Sequence, residues 1–167
     1  MIRAVQLNDA TAIAEIYNYY VANTVVTFEE APVSTSDMAD RIKSGLNSQL
    51  PWLAVIEENK LIGYAFATKW RARSAYQHSV EITVYLDPAA KSKGYGTQLY
   101  KALFERLKTQ SIHTVIGGIS LPNPTSIALH EKFGMQKAAH FKQVGRKFDR
   151  WVDTGYWQVQ LAETVEE

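Results

Sequence analysis

The stretch that decides the fold runs from Val80 to Leu107 and reads VEITVYLDPAAKSKGYGTQLYKALFERL. Apolar residues alternate with Glu81, Thr83 and Tyr85 in its first seven positions, which predicts a β-strand over Val80 to Leu86. Apolar residues at helical spacing predict a helix after it: Leu99, Leu103, Phe104 and Leu107. The stretch therefore predicts a strand that leads through a glycine-containing turn directly into a helix.

The turn itself reads KSKGYGT from Lys91 to Thr97. Its two glycines allow backbone N–H groups to converge without obstruction by a Cβ atom, and the N-terminus of a helix attracts phosphate oxygens. An ordinary strand-to-helix turn can also carry this short pattern. Two nucleotide-binding motifs are excluded, because the dinucleotide fingerprint needs a glycine where Leu99 stands and the Walker lysine pattern is absent.

Elements on both sides of this stretch complete a single domain, taken as residues 1–167. Helical periodicity is found around Ile13–Val21, Met38–Leu46 and Thr125–Phe133, and strand-like segments at Ile2–Leu7, Trp52–Glu57, Leu61–Thr68, Thr114–Ile119 and Gly155–Leu161. Three central strands follow one another without crossover helices, so a doubly wound parallel sheet fits poorly. The order predicts an α/β (α+β) domain with a mixed sheet.

Composition excludes several classes of protein. The 167 residues are 46% hydrophobic, which is too apolar for a disordered chain. Eighteen basic and 17 acidic residues leave a net charge of +1, so the chain lacks the excess of basic residues that is typical of proteins that bind nucleic acid. Without cysteine there is no disulfide scaffold, thiolate zinc site or cysteine nucleophile.

Targeting and metal signals are also absent from the sequence. Met1 to Ala10 has no apolar core of the kind a secretory signal needs, and the longest apolar runs are five residues. His78, His113 and His140 have no metal-like spacing. We therefore expect a cytoplasmic protein with no membrane span and no metal.

Several motifs resemble one acetyltransferase family. The turn is similar to the pyrophosphate loop of the GNAT (Gcn5-related N-acetyltransferase) superfamily, Gln/Arg-x-x-Gly-x-Gly/Ala, with Lys91 at its first position. Further segments resemble the phosphinothricin and methionine sulfoximine N-acetyltransferases: NTVVTF from Asn23, WRARSAY from Trp70, LPNP from Leu121, HEKFG from His130 and WVDTGYWQ from Trp151. The resemblance implies a GNAT fold with helices on both faces of the sheet, acetyl-CoA as cosubstrate, a small amino acid as acceptor and a homodimer.

Two residues are candidates for catalysis. An ammonium group must lose a proton before it attacks a thioester, and Glu81 is a carboxylate placed unusually within an apolar strand. The family has a glutamate here near the acceptor amine; a solvent-exposed face or an arginine partner is the alternative. His130 stands where many GNAT enzymes have a tyrosine that acts as general acid, so the resemblance implies the same role for His130. The alternative is a histidine on the helix surface or at a helix cap.

The resemblance also assigns cosubstrate-binding residues. It implies that the backbone of Ser92 to Thr97 (Ser92, Lys93, Gly94, Tyr95, Gly96 and Thr97) binds the pyrophosphate, with Lys91 contributing charge. It implies main-chain bonds from Val84 and Leu86 to the pantetheine arm, and an oxyanion-binding amide near Thr83 or Val84. Asn123 is placed to cap the following helix and, by resemblance, to bind the same arm.

Acceptor recognition is predicted for an arginine- and aromatic-rich segment. A guanidinium binds a carboxylate with two hydrogen bonds, and Arg71 and Arg73 share a face if the segment is extended. The alternative is that both are simply solvated. The resemblance favours substrate contact for Arg73 and Tyr76, with Phe28 lining the pocket. In this family the segment Trp151–Trp157 takes part in dimer contacts, whereas packing of the last strand into the core is the alternative.

The sequence as a whole predicts direct acetyl transfer from acetyl-CoA to the α-amine of a methionine sulfoximine-, methionine sulfone- or phosphinothricin-like amino acid, in detoxification or resistance. The absence of cysteine favours direct amine attack. Two alternatives remain at this stage: an acetyltransferase for another small amine or a protein N-terminus, and a catalytically inactive CoA-binding sensor.

Overall fold

The fold was obtained as a computed structural model, which describes residues 1–162; positions 163–167 of the predicted domain lie outside the described residues. Its helices are α1 (Ala10–Asn23), α2 (Thr35–Asn47), α3 (Tyr95–Lys108) and α4 (Pro124–Lys132). Its strands are β1 (Ile2–Ala4), β2 (Trp52–Glu57), β3 (Lys60–Lys69), β4 (Ser79–Leu86), β5 (Thr114–Leu121), β6 (Gln136–Lys147) and β7 (Arg150–Gln160).

The seven strands form one mixed sheet in the order β1-β2-β3-β4-β5-β7-β6. The pair β4–β5 is parallel and the other five pairs are antiparallel. Because α3 connects β4 to β5, it crosses from one strand to its parallel neighbour, as parallel pairing requires. The predicted mixed sheet and strand–turn–helix unit are confirmed.

Helices cover both faces of the sheet, as predicted. Alternation along β2 separates the two cores: Leu53 and Val55 belong to the core under α3, while Trp52 and Ala54 belong to the core under α1 and α2. Burying such an apolar side chain stabilises the fold by about 1.5–3 kcal/mol. The sheet therefore holds two separate apolar layers, and its central strands contribute side chains to both.

One strand was missed by the sequence analysis and another was predicted too short. The strand β6 is mostly exposed along its length, and β7 begins at Arg150, five residues before the predicted start. Periodicity detects strands that bury one face. As the edge strand of the sheet, β6 buries little of either face, so its sequence carries no alternating signal.

The helix boundaries follow ordinary capping chemistry. Ser34 caps α2 by accepting a hydrogen bond from the N–H of Asp37, and Asn123 caps α4 through the N–H of Ser126, as predicted for Asn123. Asp9 does not cap α1 with its side chain but forms an ion pair with Arg3. In residues 1–162, every helix is too short or too polar to cross a membrane.

Candidate active site

Strands β4 and β5 separate after a short parallel contact. Ser79 to Glu81 pair with Thr114 to Ile116, and no pairing continues beyond Glu81 in the part of the chain that the structure describes. A cavity opens in the resulting gap. It is lined by the end of β4, by β5, by α3 and α4, and by Val26 from the loop between α1 and α2.

The backbone of β4 points into this gap at alternate residues. The N–H of Asp87 donates to the carbonyl of Ile62, and residues on an antiparallel strand alternate between bonding their neighbour and facing away from it. Thr83 therefore bonds β3, whereas the main-chain groups of Val84 and Leu86 face the gap. The geometry thus makes Val84, and not Thr83, available as an amide donor there.

One of these main-chain groups already has a partner. The hydroxyl of Tyr20 on α1 donates to the carbonyl oxygen of Leu86 at 2.6 Å. This contact leaves the Leu86 N–H and both main-chain groups of Val84 directed into the gap. An extended chain with amide groups can bind such an edge as an added strand would.

The turn before α3 leaves the start of that helix without a cap. Gly94, the N-cap, has a φ of 81°, a left-handed conformation that favours glycine. The first intrahelical bond runs from the N–H of Gln98 to the carbonyl of Gly94, at 3.1 Å. The N–H groups of Tyr95, Gly96 and Thr97 therefore point out of the helix end, where they and the helix dipole favour an anion.

Side chains brace this turn against the rest of the fold. The hydroxyl of Tyr95 donates to the carboxylate of Glu57 on β2. The ammonium of Lys91 lies over the rings of Tyr20 and Tyr19, 5.1 and 5.7 Å from their centroids. Ser92 has a φ of 66°, and Lys93 is exposed. The two lysines of the turn therefore differ, because Lys91 packs on α1 and Lys93 extends into solvent.

Glu81 lies at the point where β4 and β5 separate. It is half-buried on the face opposite α3, and desolvation raises the pKa of its carboxyl group. The ion pairs formed within residues 1–162 do not include Glu81. An arginine partner, the alternative from the sequence, is therefore not found in the described chain, and a half-buried carboxylate of raised pKa suits proton abstraction near neutral pH.

An aromatic group surrounds the Glu81 side of the gap. The Tyr156 ring on β7 lies 5.6 Å from Trp70 and 5.9 Å from Phe141, both edge-to-face. The Arg71 guanidinium lies 5.2 Å from the Trp70 ring centroid. Burial and the nearby Glu81 raise the pKa of Tyr156, whereas Arg71 lowers it, so the three polar groups share one electrostatic environment. We call Trp70, Arg71, Phe141 and Tyr156 the aromatic wall.

The segment that carries the two predicted arginines is bent, not extended. Bends at Trp70, Ala72 and Arg73 precede a single 3-10 turn, Ser74–Tyr76, in which the N–H of Tyr76 donates to the carbonyl of Arg73. The expectation that Arg71 and Arg73 lie on one face of an extended segment is therefore wrong. All three residues are exposed: Arg71 lies against Trp70 in the aromatic wall, while Arg73 and Tyr76 lie on the connection from β3 to β4.

Phe28 is held by contacts with the β6–β7 hairpin. A Cβ atom on Gly145 would lie 2.4 Å from the Phe28 ring, so a larger residue at this position would displace the ring. Next to it, the buried Lys147, 2% exposed, donates to the carbonyl of Thr27 at 2.9 Å. These contacts tie the loop between α1 and α2 to the far edge of the sheet.

His130 is buried in α4 and hydrogen-bonded at both ring nitrogens. Its Nδ1 lies 2.7 Å from the carbonyl oxygen of Ser126 and its Nε2 lies 3.2 Å from the hydroxyl of Tyr100. Only 3% of the residue is exposed, and burial lowers the pKa of the imidazole. A surface histidine, one alternative from the sequence, is therefore wrong.

Four residues that the sequence analysis did not select contribute to the gap. Tyr100 lies on α3 next to the predicted apolar positions, and Tyr156 lies within the predicted terminal strand. Gly117 and Gly118 are adjacent in β5: a Cβ on the first would lie 2.5 Å from His130, and on the second 3.1 Å from Tyr156. Glycines inside a strand indicate that another group approaches the backbone closely. The adjacent glycines Gly117 and Gly118 were therefore the sequence signal that could have pointed to this part of the gap.

Asn123 lines the gap beside Ser126 while it caps α4. Within residues 1–162, no three His, Asp or Glu side chains are grouped in a way that could hold a metal ion.

Comparisons with known proteins agree with this geometry. Residues 2–155 match the family model described as Acetyltransferase (GNAT) domain. The chain is 34% identical to a phosphinothricin N-acetyltransferase of Streptomyces coelicolor (92% of this chain, 91% of the relative). It is 32% identical to an L-methionine sulfoximine/L-methionine sulfone acetyltransferase of Pseudomonas aeruginosa (98% and 95%).

Among solved structures, the phosphinothricin acetyltransferase of Sinorhizobium meliloti in complex with AcCoA superposes with a TM-score of 0.95. It is 36% identical and covers 100% of this chain and 91% of its own. A mixed sheet that separates between β4 and β5, an uncapped α3 after the glycine turn, and these full-length similarities together show that the chain belongs to the GNAT family of acetyltransferases.

Proposed function

We propose that the chain transfers acetyl from acetyl-CoA directly to the α-amine of a small amino acid of the methionine sulfoximine, methionine sulfone or phosphinothricin type. Its role would be detoxification or resistance. The observation that carries the proposal is the gap between β4 and β5. The main-chain N–H groups of Val84 and Leu86 face the gap on one side, and Glu81 and the aromatic wall lie on the other. The relatives' named substrates supply the acceptor class.

The residues present fit acetyl-CoA. The N–H groups of Tyr95, Gly96 and Thr97 suit the pyrophosphate, because they converge at an uncapped helix end. Val84 and Leu86 present amide groups along the gap, where a pantetheine arm with its own amides would lie. When bound, acetyl-CoA supplies an activated acetyl group as a thioester.

The chain's own residues then serve the reaction in three ways. Glu81 accepts the proton that the acceptor's ammonium must lose before its nitrogen can attack. The Val84 N–H stabilises the negative charge that develops on the carbonyl oxygen, since it faces the gap. Arg71, Trp70 and Tyr156 enclose the acceptor, which suits a compact side chain and a carboxylate.

A thiol-release assay with acetyl-CoA and a panel of amines tests this function. We expect release with free amino acids, most rapidly with methionine sulfone or phosphinothricin, and a loss of about a hundredfold in kcat for Glu81→Gln. Glu105→Gln, an exposed glutamate on α3, is the matched control. Tight CoA binding without release from any amine would indicate the sensor, and release with peptides alone would indicate a protein-modifying enzyme.

We also propose a homodimer that uses the β6–β7 hairpin. Four large apolar residues of this hairpin are 51–59% exposed: Phe141, Val144, Phe148 and Trp151. Four exposed large apolar residues on one hairpin fit contact with a second copy of the chain. Trp157, by contrast, is 2% exposed and belongs to the core. In this proposal the segment Trp151–Trp157 therefore contributes both to the dimer contact, through Trp151, and to the core, through Trp157. Sedimentation should give a dimer that Val144→Asp dissociates; a wild-type monomer at micromolar concentration would contradict this.

A further inference from the structure

One buried hydroxyl on the acceptor side has no hydrogen-bond partner among residues 1–162. Thr154 on β7 is only 9% exposed, and its Oγ1 atom is buried without a donor or acceptor in reach. Buried polar groups are nearly always hydrogen-bonded, and a valine of the same shape would avoid the cost of this unpaired hydroxyl. The position therefore carries a polar group that the described part of the fold does not use.

The register of the sheet places Thr154 among residues of the site. Its partner on β5 is Ser120, which lines the gap, and its partner on β6 is Phe141 of the aromatic wall. Tyr156, also of the aromatic wall, follows two residues later on β7 and so lies on the same face of the sheet. Thr154 is thus bordered by site residues on three sides.

The fourth side of Thr154 leads to the loop that carries Phe28. Val152, two residues earlier on the same face of β7, pairs with Gly145, and the backbone of Gly145 lies against the Phe28 ring. The hydroxyl of Thr154 therefore belongs to the floor of the acceptor side, between the aromatic wall and Phe28.

Thr154 lies well away from the end of the site where the proton is accepted. Glu81 pairs with Ile116, and Ser120 follows Ile116 by four residues on the same face of β5. Since a strand rises about 3.3 Å per residue, these two levels are about 13 Å apart. An acceptor with its α-amine at Glu81 keeps its carboxylate beside that amine, because both groups are on the α-carbon. The far end of its side chain is then the part that extends toward Thr154.

We propose, resting on the function above, that the Thr154 hydroxyl donates a hydrogen bond to the side-chain oxygen of the acceptor: a sulfone, sulfoximine or phosphinate oxygen. Rotation about χ1 moves the hydroxyl among three staggered directions, and the direction toward Ser120 leads to the gap. A thioether sulfur, as in methionine, is only a weak acceptor and leaves the hydroxyl unpaired. Thr154 therefore selects acceptors whose side chain ends in an oxygen over thioethers of the same chain length.

Three variants separate the hydroxyl from the shape of the side chain. Thr154→Val keeps the shape without the hydroxyl, whereas Thr154→Ser and Thr154→Ala differ from each other only in the hydroxyl. The measured quantity is kcat/KM for methionine sulfone divided by kcat/KM for methionine. We expect valine and alanine to lower this ratio about tenfold and serine to keep it within about threefold of wild type.

Stability and a control variant complete the experiment. The melting temperature of Thr154→Val should equal or exceed that of wild type, because the variant buries no unpaired hydroxyl. Thr114→Val, at a half-buried threonine at the other end of β5, is the matched control and should keep the wild-type ratio.

The possible results separate this selectivity from the acetyl transfer itself. An unchanged ratio in Thr154→Val, equal losses for both acceptors, or a wild type without preference for the sulfone would overturn the role of Thr154 while leaving acetyl transfer intact. If Thr154→Val folds poorly, equal ratios in Thr154→Ser and Thr154→Ala would overturn it in the same way. A wild type that releases no thiol from any amine would overturn the proposed function and the role of Thr154 together.

Discussion

The two sides of the gap are built from different parts of the polypeptide. The donor side, formed by Val84, Leu86 and the turn before α3, presents main-chain N–H and C=O groups. The acceptor side presents side chains: Glu81, the aromatic wall and Phe28. Main-chain groups are available in any sequence that adopts this fold, whereas side chains are not. We therefore expect donor binding to tolerate substitution and acceptor selectivity to depend on a few residues.

The most direct challenge to this comparison is Arg71→Lys in the aromatic wall of the acceptor side. Loss of the planar guanidinium should raise the acceptor KM about tenfold, because lysine cannot bind a carboxylate with two parallel hydrogen bonds. The Kd for CoA should stay the same. Arg106→Lys at the far end of α3 is the matched control. Steady-state kinetics with the acceptor varied gives the result, and an unchanged KM would remove Arg71 from the acceptor site, leaving Arg73 as the carboxylate ligand.

A smaller effect is expected from Lys147→Met, which acts on the acceptor side from a distance. Methionine fills the buried space but makes no bond to the Thr27 carbonyl, so Phe28 loses its tether. We expect the acceptor KM to rise about fivefold, with little change in the melting temperature because burial of a charge is relieved as well. Lys101→Met, at an exposed lysine on α3, is the control. A change in CoA affinity instead would show that the two sides are coupled.

The same contrast explains what the sequence could and could not predict. The β4–turn–α3 unit is local, so Glu81 and Gly94 were selected from the local sequence pattern, and the family resemblance supplied their predicted roles. The contact of Phe28 with Gly145 and that of Trp70 with Tyr156 join residues far apart in the chain, and no local pattern encodes them. Tyr100 shares the helical spacing of ordinary core residues, so its contact with His130 was hidden.

Gly94→Ala is expected to affect the donor side, and only modestly. Its φ of 81° is unfavourable for alanine by roughly 1–2 kcal/mol, although a Cβ there would meet nothing within 4 Å. We expect a stability loss of about 1 kcal/mol and a rise of about threefold in the Kd for CoA. Gly134→Ala, with a φ of 79°, should lose similar stability at unchanged Kd. Equal Kd changes in both variants would mean that the turn's conformation has no special role in donor binding.

The smallest expected effect is a pH-dependent change in stability caused by Glu81→Gln on the acceptor side. Because burial raises the pKa of Glu81 above its unfolded value, the folded chain holds more protons than the unfolded chain between those two values. Wild-type stability relative to Glu81→Gln is therefore highest in acid and falls as the pH rises through the folded pKa. Melting curves from pH 4 to 8 should show Glu81→Gln gaining over wild type toward neutral pH, with Glu105→Gln as the control for losing one charge.

A variant that instead loses stability at neutral pH would show that the carboxylate is held by a favourable contact. Glu81 would then be a structural residue of the β4–β5 junction. The gain in stability expected for Glu81→Gln has a simple physical reason: a half-buried carboxylate without an ion pair is costly to the fold, and that cost keeps a base available to the acceptor amine. On the donor side no such cost arises, because N–H groups at an exposed helix end stay hydrated until an anion displaces the water.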